Sequence, residues 1–227
     1  MARSMRLTIK PHGVLGTCLT ATGLKKVAAG PPPGLPIVDP AGLHHIQKGP
    51  IGAGGAAGEI YRWLGIAEDK AFPEAVRKAI QAPLQAKLQF YGMNACLHVV
   101  GPDFNGRDCS RQVALEELTQ AYHAVLQEFA KSRLGGLRLL PISGGIFAGS
   151  FAPELPSLTC AALRRAFDAL NDDSQQFVSV ARLDMCIFLE SEHHRFVEAF
   201  RDEIGRAQDF TDSLEMGSTP TRPWQIS

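Results

Sequence analysis

The sequence has no surplus of either charge. Its 23 lysines and arginines are matched by 23 aspartates and glutamates, for a formal net charge of zero. A protein that tracks a nucleic-acid backbone needs an excess of Lys and Arg to neutralise phosphates, so general nucleic-acid binding is not expected. A small anion is different, because main-chain N–H groups can hold one or two phosphates with no net charge. Long apolar runs are missing too: none approaches the roughly 18 residues of a membrane span, and no secretory apolar stretch opens the chain. The five cysteines (Cys18, Cys96, Cys109, Cys160, Cys186) contain no Cys-x-x-Cys pair. Odd in number and irregular in spacing, they give neither a disulfide nor a metal framework. They read as reduced, mostly buried residues of a cytoplasmic or nuclear monomer with no metal, no cofactor and no membrane partner.

What is present fits one domain. A chain of 227 residues, 45% hydrophobic and 20% charged, can bury a sizeable core, which excludes disorder of the whole chain. Strand and helix patterns alternate. Strands are expected at Met5 to Lys10, Leu35 to Val38, Lys87 to Tyr91, Cys96 to Val100, Leu137 to Ile142 and Met185 to Leu189. Helices are expected at Glu59 to Leu64 (with Ile60, Trp63 and Leu64 on one face), Pro73 to Gln81, Ser157 to Leu170 and Glu192 to Ala207. Another long helix runs from Cys109 to about Lys131, with Asp108 as its cap and apolar residues from Val113 to Phe129 at helical spacing. The run Ala28 to Gly34 holds three consecutive prolines and reads as a surface loop. This alternation predicts an α/β protein, a three-layer α/β/α sandwich with a mixed central sheet. Residues 1–210 form the single domain, and residues 211–227 form a polar C-terminal tail.

Two small-residue runs follow strands in this reading. Gly52-Ala53-Gly54-Gly55-Ala56-Ala57-Gly58 opens a helix, where N–H groups and the helix dipole converge on one point and favour an anion. The run is neither a Walker loop nor a clean Rossmann fingerprint, and by itself it could serve only close helix–sheet packing. Ser143-Gly144-Gly145-Ile146-Phe147 is the second, offering a hydroxyl donor, free N–H groups and an aromatic face. Ligands of α/β sheets sit at the carboxyl ends of strands, so two such runs suggest a diphosphate gripped from both sides.

The segments Gly54 to Ile60, His98-Val99-Val100-Gly101-Pro102 and Leu140 to Phe147 occur in an order that resembles the three signature segments of macrodomains. The resemblance spans Leu35 to Phe200 and implies a macrodomain-like sandwich that binds ADP-ribose or ADP-ribosylated protein. Residues Ala53 to Gly58 would cradle the proximal phosphate and distal ribose, and Ser143 to Phe147 would wrap the diphosphate with Phe147 beside the distal ribose. Some positions depart. Val38-Asp39-Pro40-Ala41-Gly42 stands where the family has Val-Asn-Ala-Ala-Asn, so Gly42 replaces the second Asn and Asp39 the first. Ala57 replaces the loop aspartate of many hydrolytic members, and Lys10 to Gly13 offers no counterpart of the family's adenine-reading Gly-Asp-Ile segment. The phosphate grip is thus retained in outline, while the adenine-reading and standard catalytic residues are unmatched.

Two carboxylates could replace the missing catalyst. Glu59 lies near the position of the catalytic Glu in the related poly(ADP-ribose) glycohydrolases and could protonate a leaving group if burial raises its pKa. In the first turn of a helix, however, Glu is also favoured by the dipole alone. Asp39 could position a water or a ribose hydroxyl, or be a turn residue before Pro40. His44 and His45 read as a solvated loop pair and His98 as structural. Three functions remain open: an ADP-ribosyl hydrolase, a reader that binds without turnover, and an interaction scaffold with a degenerate cleft.

Overall fold

Residues 3–212 and 224–225 are described by the computed structural model of this chain. Short apolar runs form its central strands: β1 (Met5–Lys10), β4 (Ile37–Pro40), β6 (Asn94–Val99), β7 (Gly136–Leu139) and β8 (Arg182–Cys186). Every residue of β7 is buried, as expected of a strand covered on both faces. The antiparallel β5 (Ala86–Tyr91) edges the sheet through a tight turn to β6, and the order is β5-β6-β4-β7-β8-β1. At the far edge, β9 (Trp224–Gln225) pairs in parallel with β1. A separate hairpin, β2 (Thr17–Thr20) and β3 (Gly23–Lys26), follows β1.

Side-chain alternation then divides the core in two. Ile37 and Cys96 face one side, where α1 (Leu43–Lys48), α2 (Gly55–Leu64) and α3 (Glu74–Ala79) contribute Ile46, Ile60, Tyr61 and Val76. Val38 and Leu97 face the other. There α4 (Arg111–Ser132), α5 (Leu155–Asp168), α6 (Asp172–Val180) and α7 (Glu190–Asp212) supply Leu118, Tyr122, Leu163, Val178 and Phe196. The result is the expected three-layer α/β/α sandwich with a mixed sheet. No single helix among the described residues is long and apolar enough to cross a membrane.

Several boundaries move for identifiable reasons. Helix α2 begins at Gly55, inside the small-residue run and four residues before the predicted start. Ser110, not Asp108, caps α4, because its side chain accepts from the Val113 amide. Val113 itself lies in the first turn and is exposed. Strand β8 stops at Cys186, three residues short of the predicted Leu189. Helix α6 was not anticipated, although Asn171 caps it through the Ser174 amide. The hairpin β2–β3 and the six-residue α1 were also missed. Of the predicted tail, residues 213–223 and 226–227 lie outside the described residues, whereas Trp224–Gln225 extend the sheet.

Candidate functional site

Strands β4, β6 and β7 run parallel, so the segments after Pro40, Val99 and Leu139 leave from one edge of the sheet. After β4 the chain crosses toward β5 and β6; after β7 it crosses the other way, toward β8. The β4–β7 boundary is therefore a topological switch point, where an α/β sheet opens a crevice. The two strands share only one register pair, Ile37 with Arg138, near their starts. The second small-residue run leaves β7 here, and the first follows β4 after the short helix α1.

The first run is half turn and half helix. Gly52 (φ 77°) and Gly55 (φ 58°) hold left-handed conformations that suit glycine. Gly54 caps α2 without a side chain to accept from the first turn. The Ala53 amide donates to the Pro50 carbonyl, and the Gly58 amide to the Gly54 carbonyl, each at 3.1 Å. The intervening amides of Gly54, Gly55, Ala56 and Ala57 have no partner within the protein among the described residues. Gly54, Gly55 and Ala56 are exposed and Ala57 is half-buried, so these donors face solvent at the positive end of a ten-residue helix. Gly58 differs from its expected role. It is buried, its amide is spent, and a Cβ there would run into the Ala53 carbonyl, so it serves close packing and not the ligand.

The second run is anchored from below. The Tyr122 hydroxyl accepts from the Ile142 amide at 2.9 Å. The Ser143 hydroxyl, expected to point at a ligand, instead donates to the Pro102 carbonyl at 2.5 Å, and the residue is buried. Its role is to lock this loop to the one after β6. At Gly101 a Cβ would stand 2.9 Å from Ser143 Oγ, so the absence of a side chain there permits the contact. Beyond Ser143, Gly144 caps a 3-10 segment, Gly145–Phe151. The amides of Gly145 and Ile146 have no partner among the described residues, those of Gly144 and Phe147 turn back toward the Pro141 and Gly144 carbonyls, and the Phe147 carbonyl accepts from the Phe104 amide at 2.9 Å. Ile146 is 77% exposed and Phe147 half-buried.

Neither predicted carboxylate reaches the crevice. Glu59 lies in the second turn of α2, its side chain 61% exposed and paired with Arg62, so the burial on which an acid role depended is absent. Asp39 is fully buried. Strand alternation turns it inward beneath α2, where Oδ2 accepts from His98 Nδ1 at 2.7 Å, and no water or ribose can touch it. The Tyr91 hydroxyl sits 2.8 Å from the His98 Nε2. The tautomer with Nδ1–H donating to Asp39 leaves Nε2 to accept from Tyr91, which satisfies both ring nitrogens. Cys96 lies beside it, its thiol held well above the usual range by burial and then by the Asp39 charge. Burial, followed by Asp39, also raises the Tyr61 hydroxyl. His98 is structural, as expected; His44 is exposed, and His45 contacts the Gly49 carbonyl at 3.3 Å.

One candidate escaped the sequence. Phe188 was placed inside a strand, yet it emerges past the end of β8 and is 42% exposed at the same sheet edge. Gly13, just after β1, lies against it: a Cβ there would be 3.1 Å from the ring.

No protein-family model matches this chain, and neither does any curated protein. Solved structures do. An alphavirus P23pro-zbd structure superposes with a TM-score of 0.58 at 17% identity over 89% of this chain, which spans only 24% of that one. The Oceanobacillus iheyensis macrodomain with ADP gives a TM-score of 0.52 at 18% identity, covering 75% of this chain and 85% of that one. The macro domain of ganglioside induced differentiation associated protein 2 gives 0.54 at 14% identity over 86% of this chain and 84% of its own.

The fold is that of a divergent macrodomain. Of the segments that carried the sequence resemblance, Gly54 to Ile60 follows β4 after the short helix α1, and Leu140 to Phe147 directly follows β7 at the switch point. The third segment, after β6, meets the second through Ser143 and Pro102.

Proposed function

We propose that this macrodomain binds ADP-ribose, free or attached to a protein, in the crevice between residues 52–57 and 143–147. The observation that carries the reading is the pair of unpartnered amide runs, Gly54 to Ala57 and Gly145 to Ile146, in the connections that follow two strands flanking one switch point. Six donors left to solvent match the acceptor-rich, doubly charged diphosphate of a nucleotide. Phe147 supplies an apolar face for the distal ribose, and Phe188 supplies one for the base. Fold likeness to the Oceanobacillus macrodomain, solved with ADP and as a variant with ADPR, supports the choice of ligand.

The reading is recognition without turnover. Hydrolysis of an ADP-ribosyl bond needs a group to activate water or protonate the leaving oxygen. The two carboxylates proposed for that work lie outside the crevice, one paired on the surface and the other sealed in the core. Titration calorimetry tests the binding step: ADP-ribose should give saturable one-to-one heat, AMP weaker heat and adenosine none. Absence of heat with ADP-ribose overturns the reading. Incubation with mono-ADP-ribosylated protein tests the rest, since release of ADP-ribose above the uncatalysed rate would make the protein a hydrolase.

A further inference from the structure

We propose that Asp39, Cys96 and His98 form a structural zinc site, buried between the sheet and α2, that ties β4 to β6 behind the first ligand loop. The three side chains offer one carboxylate oxygen, one sulfur and one imidazole nitrogen, all within 4.8 Å of one another. Oxygen, nitrogen and sulfur donors together suit Zn2+ better than the hard cations, which take oxygen alone. Zinc bonds of about 2.0 Å to nitrogen or oxygen and 2.3 Å to sulfur put tetrahedral neighbours about 3.3–3.6 Å apart. Here Cys96 Sγ and His98 Nδ1 are 3.9 Å apart, and His98 Nδ1 and Asp39 Oδ2 are 2.7 Å apart. An ion placed among them therefore contracts the sulfur–nitrogen edge by about 0.3 Å and opens the nitrogen–oxygen edge by about 0.6 Å.

Two further features point to an occupant. Asp39 Oδ1 and the Tyr61 hydroxyl are both buried and approach each other without a hydrogen bond of regular geometry, so neither is well satisfied as the site stands. Tyr61 packs beside the cluster, 6.3 Å from His98 between ring centroids. The outer support is also in place. Asp39 and His98 are register partners on adjacent parallel strands, and Tyr91 holds His98 from its Nε2 side. Loading releases the Cys96 proton to solvent and moves the His98 proton from Nδ1 to Nε2, which then donates to the Tyr91 oxygen. Thiolate and carboxylate together neutralise the ion. All three donors are inaccessible, so substrate cannot reach the site, and the inference stands apart from the ADP-ribose reading.

Metal analysis on tag-free protein purified from zinc-supplemented medium is the test. One zinc per chain is expected, retained by Cys109→Ser and lost from Cys96→Ala. Protein grown with cobalt in place of zinc should show the near-ultraviolet sulfur-to-cobalt charge-transfer band, and that reading on the native sequence decides the matter even if Cys96→Ala fails to fold. Absence of stoichiometric metal, or metal held with no thiolate band, overturns the proposal.

Discussion

Ala56 lies exposed in the first turn of α2, among the four amides that have no internal partner. A carboxylate there has opposite effects on the helix and on the ligand. At a helix N-terminus an acidic side chain is favourable by about 0.3–1 kcal/mol, and free N–H groups are available to it. The same charge stands where the diphosphate is to sit. Two unit negative charges about 6 Å apart, at an effective dielectric of about 20, repel by about 3 kcal/mol, or roughly 100-fold in Kd. Ala56→Asp should therefore keep or raise the melting temperature while weakening ADP-ribose binding by about two orders of magnitude. Ala56→Asn has the same shape without the charge and should lose far less. Calorimetry at low and high salt, paired with thermal melts, checks this, and the gap between the variants should narrow as salt screens the repulsion. Equal affinities of the two folded variants would refute the claim that these amides hold an anion.

Other perturbations follow from the same geometry. Ser143→Ala leaves the Pro102 carbonyl unpaired and unlocks the second loop, so stability should fall by about 1–3 kcal/mol in denaturant melts, with weaker ADP-ribose binding; unchanged melts and affinity would show that the bond does no anchoring. Glu59→Gln removes only a surface pair with Arg62 and should alter stability by no more than about 0.5 kcal/mol, leaving ADP-ribose affinity as it was. A large loss of affinity in calorimetry would return Glu59 to the site. Glu128 gives a pH dependence. Burial alone would raise its carboxyl, but Lys131, the Leu88 amide and Lys87 together hold it below the ordinary value of 4.5. The unfolded chain then binds more protons between the two values, so this stabilisation is complete above about 4.5 and is lost as pH falls through the lower, folded value. Glu128→Gln should flatten that part of the melting profile, and an unchanged acid limb would contradict it.

Much of this was legible from local pattern. The three signature segments, the strand–helix alternation and the long helices α4, α5 and α7 all report burial periodicity, which sequence carries directly. What was lost depended on where a strand stops and which way a side chain points. A shift of three residues at the end of β8 hid Phe188, and one step of strand parity decides whether Asp39 faces a crevice or the core. Ser143 looked like a ligand donor because its acceptor, the Pro102 carbonyl, lies 41 residues away in the chain. The Asp39–Cys96–His98 cluster was invisible for a related reason. Cys96 and His98 share a strand face at two-residue spacing, but Asp39 joins them only through the pairing of β4 with β6. Helix α6 is short and polar, with Val178 its one buried residue, so its period barely shows.

The most direct measurement is an amide chemical-shift titration of the labelled protein with ADP-ribose. The largest saturable shifts should fall on the backbone N–H groups of Gly54 to Ala57 and Gly145 to Ile146 together, at one shared midpoint. Shifts confined to one loop, centred elsewhere on the surface, or absent at high ligand concentration would contradict a diphosphate held between the two.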